Sequence, residues 1–376
     1  MLFLSSDWKW TGPSEPMLLL QAALRERGHR VDLACAEAPG GAGGGLAREA
    51  RARGLGPHLA LERGRGIRPL RDRRDARLLA EWIARESIEV VHTWHSRDHG
   101  LALAARARCA AELAVVRSLP AAKLPSLAAP WNRWLFGPGC DGLVCVGQKN
   151  AERLQAVRGA RPLASTRGVV DAERFSNAER FGGAANAFRS GSPRIGIVAR
   201  VQAHRRFDLL VDAFALLAAR EQRVKLVVIG RGTRMRELLE VPVRRRGLEA
   251  RVEFMGYRRE DYREVLARLD VSTLLVPGSD GSCRAVLEAA AAGIPCVVTR
   301  REPLPEIVLD RATGLVVEED PEALAAAWSR LLNDGALRRR LGEAARERVR
   351  SACSPARHAL EIEALQLAAV ESRRAR

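Results

Sequence analysis

Two carboxylates, Asp280 and Glu288, stand eight positions apart in the stretch GSDGSCRAVLE, residues 278 to 288. Between them lie Gly281, Ser282, Cys283 and Arg284, which read as a turn running into the start of an apolar helix. Free amides and the helix dipole at such a terminus favour an anion. Asp280, ahead of the helix, is placed to accept hydrogen bonds from hydroxyls. Glu288, more than a turn inside, reaches a different part of the same ligand. A molecule with hydroxyls, a phosphate and more hydroxyls in a row, such as a nucleotide sugar, satisfies that order. The spacing also fits a plainer arrangement in which Asp280 caps the helix and Glu288 pairs with a nearby arginine.

These residues need a scaffold, and the chain carries the signals of one. Short β-rich runs alternate with helical periodicity: LFLSS, HRVDLAC, residues 88 to 91, VRSLP and DGLVCVG in the first half, then RIGIVAR, VKLVVIGRG, RVEFMGY, VSTLLVPG and PCVVT in the second. Ser14 is placed to cap a helix from Glu15 to Arg27, and Gly28 to stop it. Strands alternating with helices of this size predict parallel, doubly wound sheets. The 376 residues are long for one core and suit two Rossmann-like domains, which the pattern predicts to face a cleft. The boundaries expected are a first domain over about 1 to 180, a linker over 181 to 193 within a small-residue tract from about 176, and a second domain over 194 to 350. A final helix over 354 to 372 closes the chain, in a terminal segment of 354 to 376. The tract PGGAGGG, 39 to 45, reads as a flexible loop. In parallel sheets ligands bind beyond the carboxyl ends of the strands, which is where chemistry belongs.

Gly230 and Gly232 follow a strand in IGRGTRM, but Met235 stands where a dinucleotide fingerprint needs its third glycine. That segment reads as a tight turn near a nucleotide. HTWHSRDH, 92 to 99, follows another strand end and gathers three of the seven histidines. Trp131, Trp134 and Phe136 cluster beside Lys123 and Arg133 in the segment up to Gly139. Aromatics with basic neighbours either rest on a membrane surface or pack into a core.

The net charge of +17 invites a nucleic-acid reading, but the lysines are four and the arginines are spread through helices with Ala, Leu and Glu. With no zinc-knuckle spacing, basic arm or interleaved aromatics, a nucleic-acid partner is not expected. The excess charge still favours acidic partners such as nucleoside diphosphates and anionic lipid. Seven cysteines without paired metal spacing fit reduced thiols and a cytoplasmic home, and no stretch has the length and apolarity of a spanning helix or a signal peptide.

The stretch from Asp280 resembles the E-x7-E element of retaining glycosyltransferases of family 4, with the GT-B fold, Asp280 replacing the first glutamate. LRERGHRVDL, RGVVDAERF, ARVQAHRRFDLLVDAF, LVVIGRG, VEFMGY and LPEIVLDRATGLVVEEDPEALAAA follow in the family's order. The resemblance implies a hexosyltransferase that uses a nucleotide-sugar donor, with the final helix over 354 to 372 packing back toward the first domain. It assigns the donor diphosphate to Arg200 and Arg205, the second in place of a lysine, and the ribose to Glu288. The family's EGFG loop becomes Asp280, Gly281, Ser282 and Cys283, with Arg284 beside it, and Gly12 matches a glycine-rich turn that lets the donor approach. It also places acceptor hydroxyls near His95, Arg97 and His99, in a segment like that of enzymes building lipopolysaccharide and other surface glycans. Retention implies front-face attack, with a donor phosphate oxygen taking the acceptor's proton. No D-x-D motif occurs, so neither metal nor other cofactor is expected, and the arginines supply the positive field for the leaving diphosphate. The rivals are a nucleotide-sugar epimerase of the same fold and a basic nucleic-acid-binding protein.

Overall fold

The computed structural model describes residues 1–38, 45–62, 68–109, 112–176, 191–278 and 280–376. The glycine tract lies outside them except for Gly45, and so does the linker up to residue 190. The chain forms two compact units: Met1–Thr166 with Pro355–Arg376, and Arg167–Ser354. The residues just after Thr166 thus belong with the second unit and the final helix with the first.

In the first unit, among the described residues, seven strands form one parallel sheet: β1 (Leu2–Ser5), β2 (Asp32–Ala36), β3 (Leu59–Leu61), β4 (Val90–Thr93), β5 (Ala114–Leu119), β6 (Gly142–Val146) and β7 (Leu163–Thr166). Their order is β3-β2-β1-β4-β5-β6-β7. β1 pairs on both sides, with Leu2 beside Asp32 and beside Val91. Helices cover both faces, so β1 is apolar without alternation. Phe3 packs on one face with Leu18, Leu24 and, from the final helix Pro355–Arg374, Ile362 and Leu365. Leu2 and Leu4 pack on the other face with Leu79, Ile83 and Leu101.

The first helix runs Ser14–Glu26 and ends as its sequence predicts: Gly28 takes a left-handed φ of 91° and its N–H bonds to the Arg25 carbonyl. Its start differs from expectation. Ser14 is not the cap but the first helical residue, and its hydroxyl accepts from the Thr11 amide at 3.0 Å. Pro13 precedes the helix and fixes the entry.

The second unit repeats the plan among the described residues with six strands: β8 (Arg194–Val198), β9 (Lys225–Ile229), β10 (Val252–Gly256), β11 (Val271–Leu274), β12 (Cys296–Thr299) and β13 (Gly314–Val317), ordered β10-β9-β8-β11-β12-β13. One core holds this unit together. It includes Phe207, Phe214 and the fully buried Trp328, whose indole N–H donates to Thr273 Oγ1 at 2.9 Å. In each sheet the winding reverses once, between β1 and β4 and between β8 and β11. The loops beyond these strand pairs are the switch points at which such sheets hold ligands.

Candidate active site

At the second unit's switch point two loops meet, one after β8 and one after β11. The first carries Arg200 and the short turn Ala203–Arg205. The second carries Gly278 and the turn Asp280–Cys283, which leads into the helix Arg284–Ala291.

Arg205 is anchored by its Nη1, which donates to the Val276 carbonyl at 2.5 Å. Its Nε is buried without a hydrogen-bond partner among the described residues. Burial holds its pKa below the usual guanidinium value, and the neighbouring Arg200 charge lowers it further. Arg200 is exposed and makes no ion pair or side-chain hydrogen bond among the described residues. Two adjacent guanidinium groups therefore stand without a carboxylate partner among the described residues. Gly278 makes this possible, since a Cβ there would sit 2.4 Å from Arg205 Nη2.

Asp280 folds back on its own turn. Its Oδ1 accepts from the Ser282 amide at 3.0 Å and from the Ser282 hydroxyl at 2.7 Å, while Oδ2 is buried with no partner among the described residues. The Cys283 amide bonds to the Asp280 carbonyl at 3.4 Å. The amides of Ser282 and Cys283 are thus spent inside the turn, which corrects the expectation of free amides there. Asp280 caps this turn rather than the helix. Cys283 itself has a φ of 50°, in the left-handed region that favours glycine. Gly281 and Ser282 are buried, Arg284 half-buried. Gly168, also left-handed, lets its loop close on the turn: a Cβ there would meet Ser282 Cβ at 2.7 Å.

Glu288 is buried, and its two oxygens are engaged. Oε1 pairs with Arg284 Nε at 3.0 Å, and Oε2 accepts from the Tyr262 hydroxyl at 2.6 Å. Burial, then the adjacent Glu288 charge, pushes the Tyr262 hydroxyl well above its ordinary pKa, so the phenol stays a donor. The arginine pairing was legible from the spacing of four. The tyrosine was not, because it lies on another helix with nothing in its local sequence to single it out.

Gly230 and Gly232 serve backbone approach. Their β-carbons would each fall 2.0 Å from a carbonyl oxygen, of Ala199 and Val201 respectively. The loop that carries Arg200 is thereby laid along the end of β9, with the Val201 amide bonded to the Arg231 carbonyl at 3.1 Å.

In the first unit the histidine segment separates by role. Arg97, expected at a substrate, is instead held by Asp72 and Asp75, each within 2.7 Å, and by the Glu62 carbonyl. His99 is buried against the Gly139 carbonyl at 3.0 Å, and burial drives its pKa down to about 3. Both are committed to the fold, because the helix Ser96–Cys109 turns them inward. His95 remains partly exposed at the end of β4, oriented by Asp98 at 3.0 Å, whose other oxygen accepts the Ser6 amide beyond β1. Gly12 sits half-buried in the turn before the first helix. The segment Pro130–Phe136 buries Phe136 but leaves Trp131 and Trp134 65% and 42% exposed, stacked with ring centroids 5.0 Å apart. No helix among the described residues is long and apolar enough to cross a membrane, and none of their acidic, His and Cys side chains cluster as a metal site.

Comparison with known proteins agrees with this fold. Residues 183–348 match the family model for glycosyl transferases group 1, and residues 17–174 that for glycosyltransferase family 4. N-acetyl-alpha-D-glucosaminyl L-malate synthase of Bacillus anthracis is 34% identical over 146 residues, 39% of this chain and 37% of that protein. The chain's match thus spans little more than a third of that relative. Among solved structures, a glycosyltransferase from Rickettsia africae ESF-5 superposes with a TM-score of 0.76 at 17% identity, covering 98% of this chain and 97% of the other. Anabaena Alr3699/HepE in complex with UDP gives 0.73 at 17%, covering 96% and 98%.

Proposed function

From the premise that the chain belongs to the group 1, family 4 glycosyltransferases of the GT-B class, we propose that it moves a sugar from a nucleotide-sugar donor to a glycan or lipid-linked acceptor. The transfer retains anomeric configuration, needs no metal, and serves lipopolysaccharide or other surface-polysaccharide synthesis. The observation that carries this reading is the Arg200 and Arg205 pair at the β8–β11 switch point, two cations with no carboxylate partner among the described residues.

The donor diphosphate supplies the missing charge, and Arg205, held by the Val276 carbonyl, needs little reorganisation to meet it. The sugar C1–O(phosphate) bond breaks on the face where the acceptor hydroxyl attacks. The new C1–O(acceptor) bond forms as the hydroxyl proton passes to a phosphate oxygen, and the two guanidiniums stabilise the negative leaving group. Asp280 Oδ2 is the unsatisfied acceptor available for a sugar hydroxyl. Glu288, fixed by Tyr262 and Arg284, faces the ribose. HepE with bound UDP supports a uridine nucleotide as the first donor to try.

Calorimetric titration with UDP tests the site, followed by turnover of UDP-sugars in EDTA. Arg200→Ala and Arg205→Ala are each expected to lower turnover more than tenfold, since charge-assisted contacts to a desolvated phosphate contribute about 1.5 to 3 kcal/mol. Activity abolished by EDTA and restored by Mg²⁺ would overturn the metal-free mechanism. Interconversion of UDP-sugars without an acceptor would replace the transferase by an epimerase.

A further inference from the structure

Arg117 lies inside β5, one strand from the first unit's switch point, and is only 4% exposed. Its Nη2 donates to Ser96 Oγ at 2.9 Å, at the first residue of the helix that follows β4. Its Nε and Nη1 are buried with no hydrogen-bond partner among the described residues. The Phe136 ring lies 5.3 Å from the guanidinium carbon. Asp98 is the carboxylate that acts on this charge at a distance, but its oxygens are occupied by the Ser6 amide and His95. Burial accordingly lowers the Arg117 pKa.

A buried charge with two idle donors is costly unless something pairs with it. A helix amino terminus at the same point adds a positive field. Ser96 is exposed and His95 next to it is partly so, which makes this end of the helix the approach from solvent. We infer that Arg117 binds an oxyanion, a phosphate or carboxylate, carried by the acceptor and entering in place of the Ser96 hydroxyl. This rests on the transferase reading and narrows it: the acceptor is anionic, with His95 beside its charged group and Arg117 beneath it.

The test uses the full chain with saturating UDP, so that the donor site is filled, and follows tryptophan fluorescence on heating at constant ionic strength. Inorganic phosphate at about ten times its Kd should raise the wild-type Tm by about 4 °C. Arg117→Met should abolish that rise. Ser96→Asp, an exposed substitution that supplies the missing carboxylate, should raise Tm without phosphate and remove the response to it, and the higher Tm separates it from misfolding. Glucose 6-phosphate should bind more tightly than inorganic phosphate, because its hydroxyls accompany the anion. Equal phosphate responses in wild type and Ser96→Asp overturn the site, and no gain from the sugar phosphate overturns its assignment to the acceptor. Failure of UDP to bind instead removes the donor reading and leaves the phosphate comparison intact.

Discussion

Glycines at the second unit's switch point make separable demands, and substitution distinguishes them. The β-carbon of Gly278→Ala meets the mobile end of Arg205, so the guanidinium moves and the backbone does not. Turnover should fall several-fold while Tm changes little, and a large drop in Tm would show that Gly278 serves the backbone. Gly230→Ala meets the Ala199 carbonyl itself, at a φ of 146°. That variant should lose stability first, by about 1 to 3 kcal/mol in urea unfolding, as other strained positions do. Unchanged stability would mean that the two loops part easily. At this scale the candidates were legible in the sequence and their state was not. Arg97 and Arg200 look alike in a chain this rich in arginine. Asp75 and Asp72, 22 and 25 positions away, consume Arg97, whereas nothing described consumes Arg200.

The final helix Pro355–Arg374 shows what an element contributes beyond its own periodicity. It packs on β5, β6 and β7, and Gln366 donates from its buried face to His92 Nδ1 at 3.1 Å. His92 in turn bonds Ser118 Oγ at 2.8 Å and stacks on Trp94, centroids 4.4 Å apart. Gln366→Leu leaves a buried imidazole nitrogen unsatisfied, a cost of about 1 to 3 kcal/mol. Urea denaturation followed at the tryptophans should show it, and an unchanged midpoint would mean that water replaces the amide. Pro130–Phe136 is the other element whose sequence left two readings open. Its exposed tryptophan stack favours the membrane reading. Trp131→Ala with Trp134→Ala should reduce sedimentation with anionic vesicles and leave UDP affinity unchanged, and added salt should weaken the wild-type attachment. A wild-type protein that stays in the supernatant at low salt removes the membrane from the account. β3, β7 and β13 escape sequence reading, and all three are edges of their sheets. They are three or four residues long, and β7 is largely unburied, so no sustained apolar run marks it.

For the whole molecule, histidine distribution sets a difference between the units. His92 and His99 have pKa values lowered to about 3 and His358 to about 4, by burial, and all three lie in the first unit. Their unfolded pKa is near 6.5, so the unfolded chain takes up protons as pH falls below that value while the folded unit refuses them. The stabilisation is complete above about 6.5 and is lost as pH falls toward 4 and then 3, with a slope of about 1.4 kcal/mol per pH unit for each ring. The second unit carries only His204, which is exposed. Six of the seven tryptophans lie in the first unit and Trp328 in the second, so fluorescence reports mainly the first. Its urea midpoint should drop between pH 7.5 and 5, and equal midpoints would contradict the buried neutral rings. The sequence by itself determined the alternation of strands and helices, the strands at the centres of both sheets, and the positions of Asp280, Glu288, Arg200 and Arg205. The strands, Asp280 and Glu288 follow from local apolar runs and from fixed spacings along one turn and helix, and Arg200 and Arg205 from the family resemblance. Tertiary structure alone decided that Tyr262 holds Glu288 and that Arg117 is buried with idle donors. Those facts depend on strand order and crossover connections, which bring together groups far apart in the chain, and no local pattern encodes such a meeting.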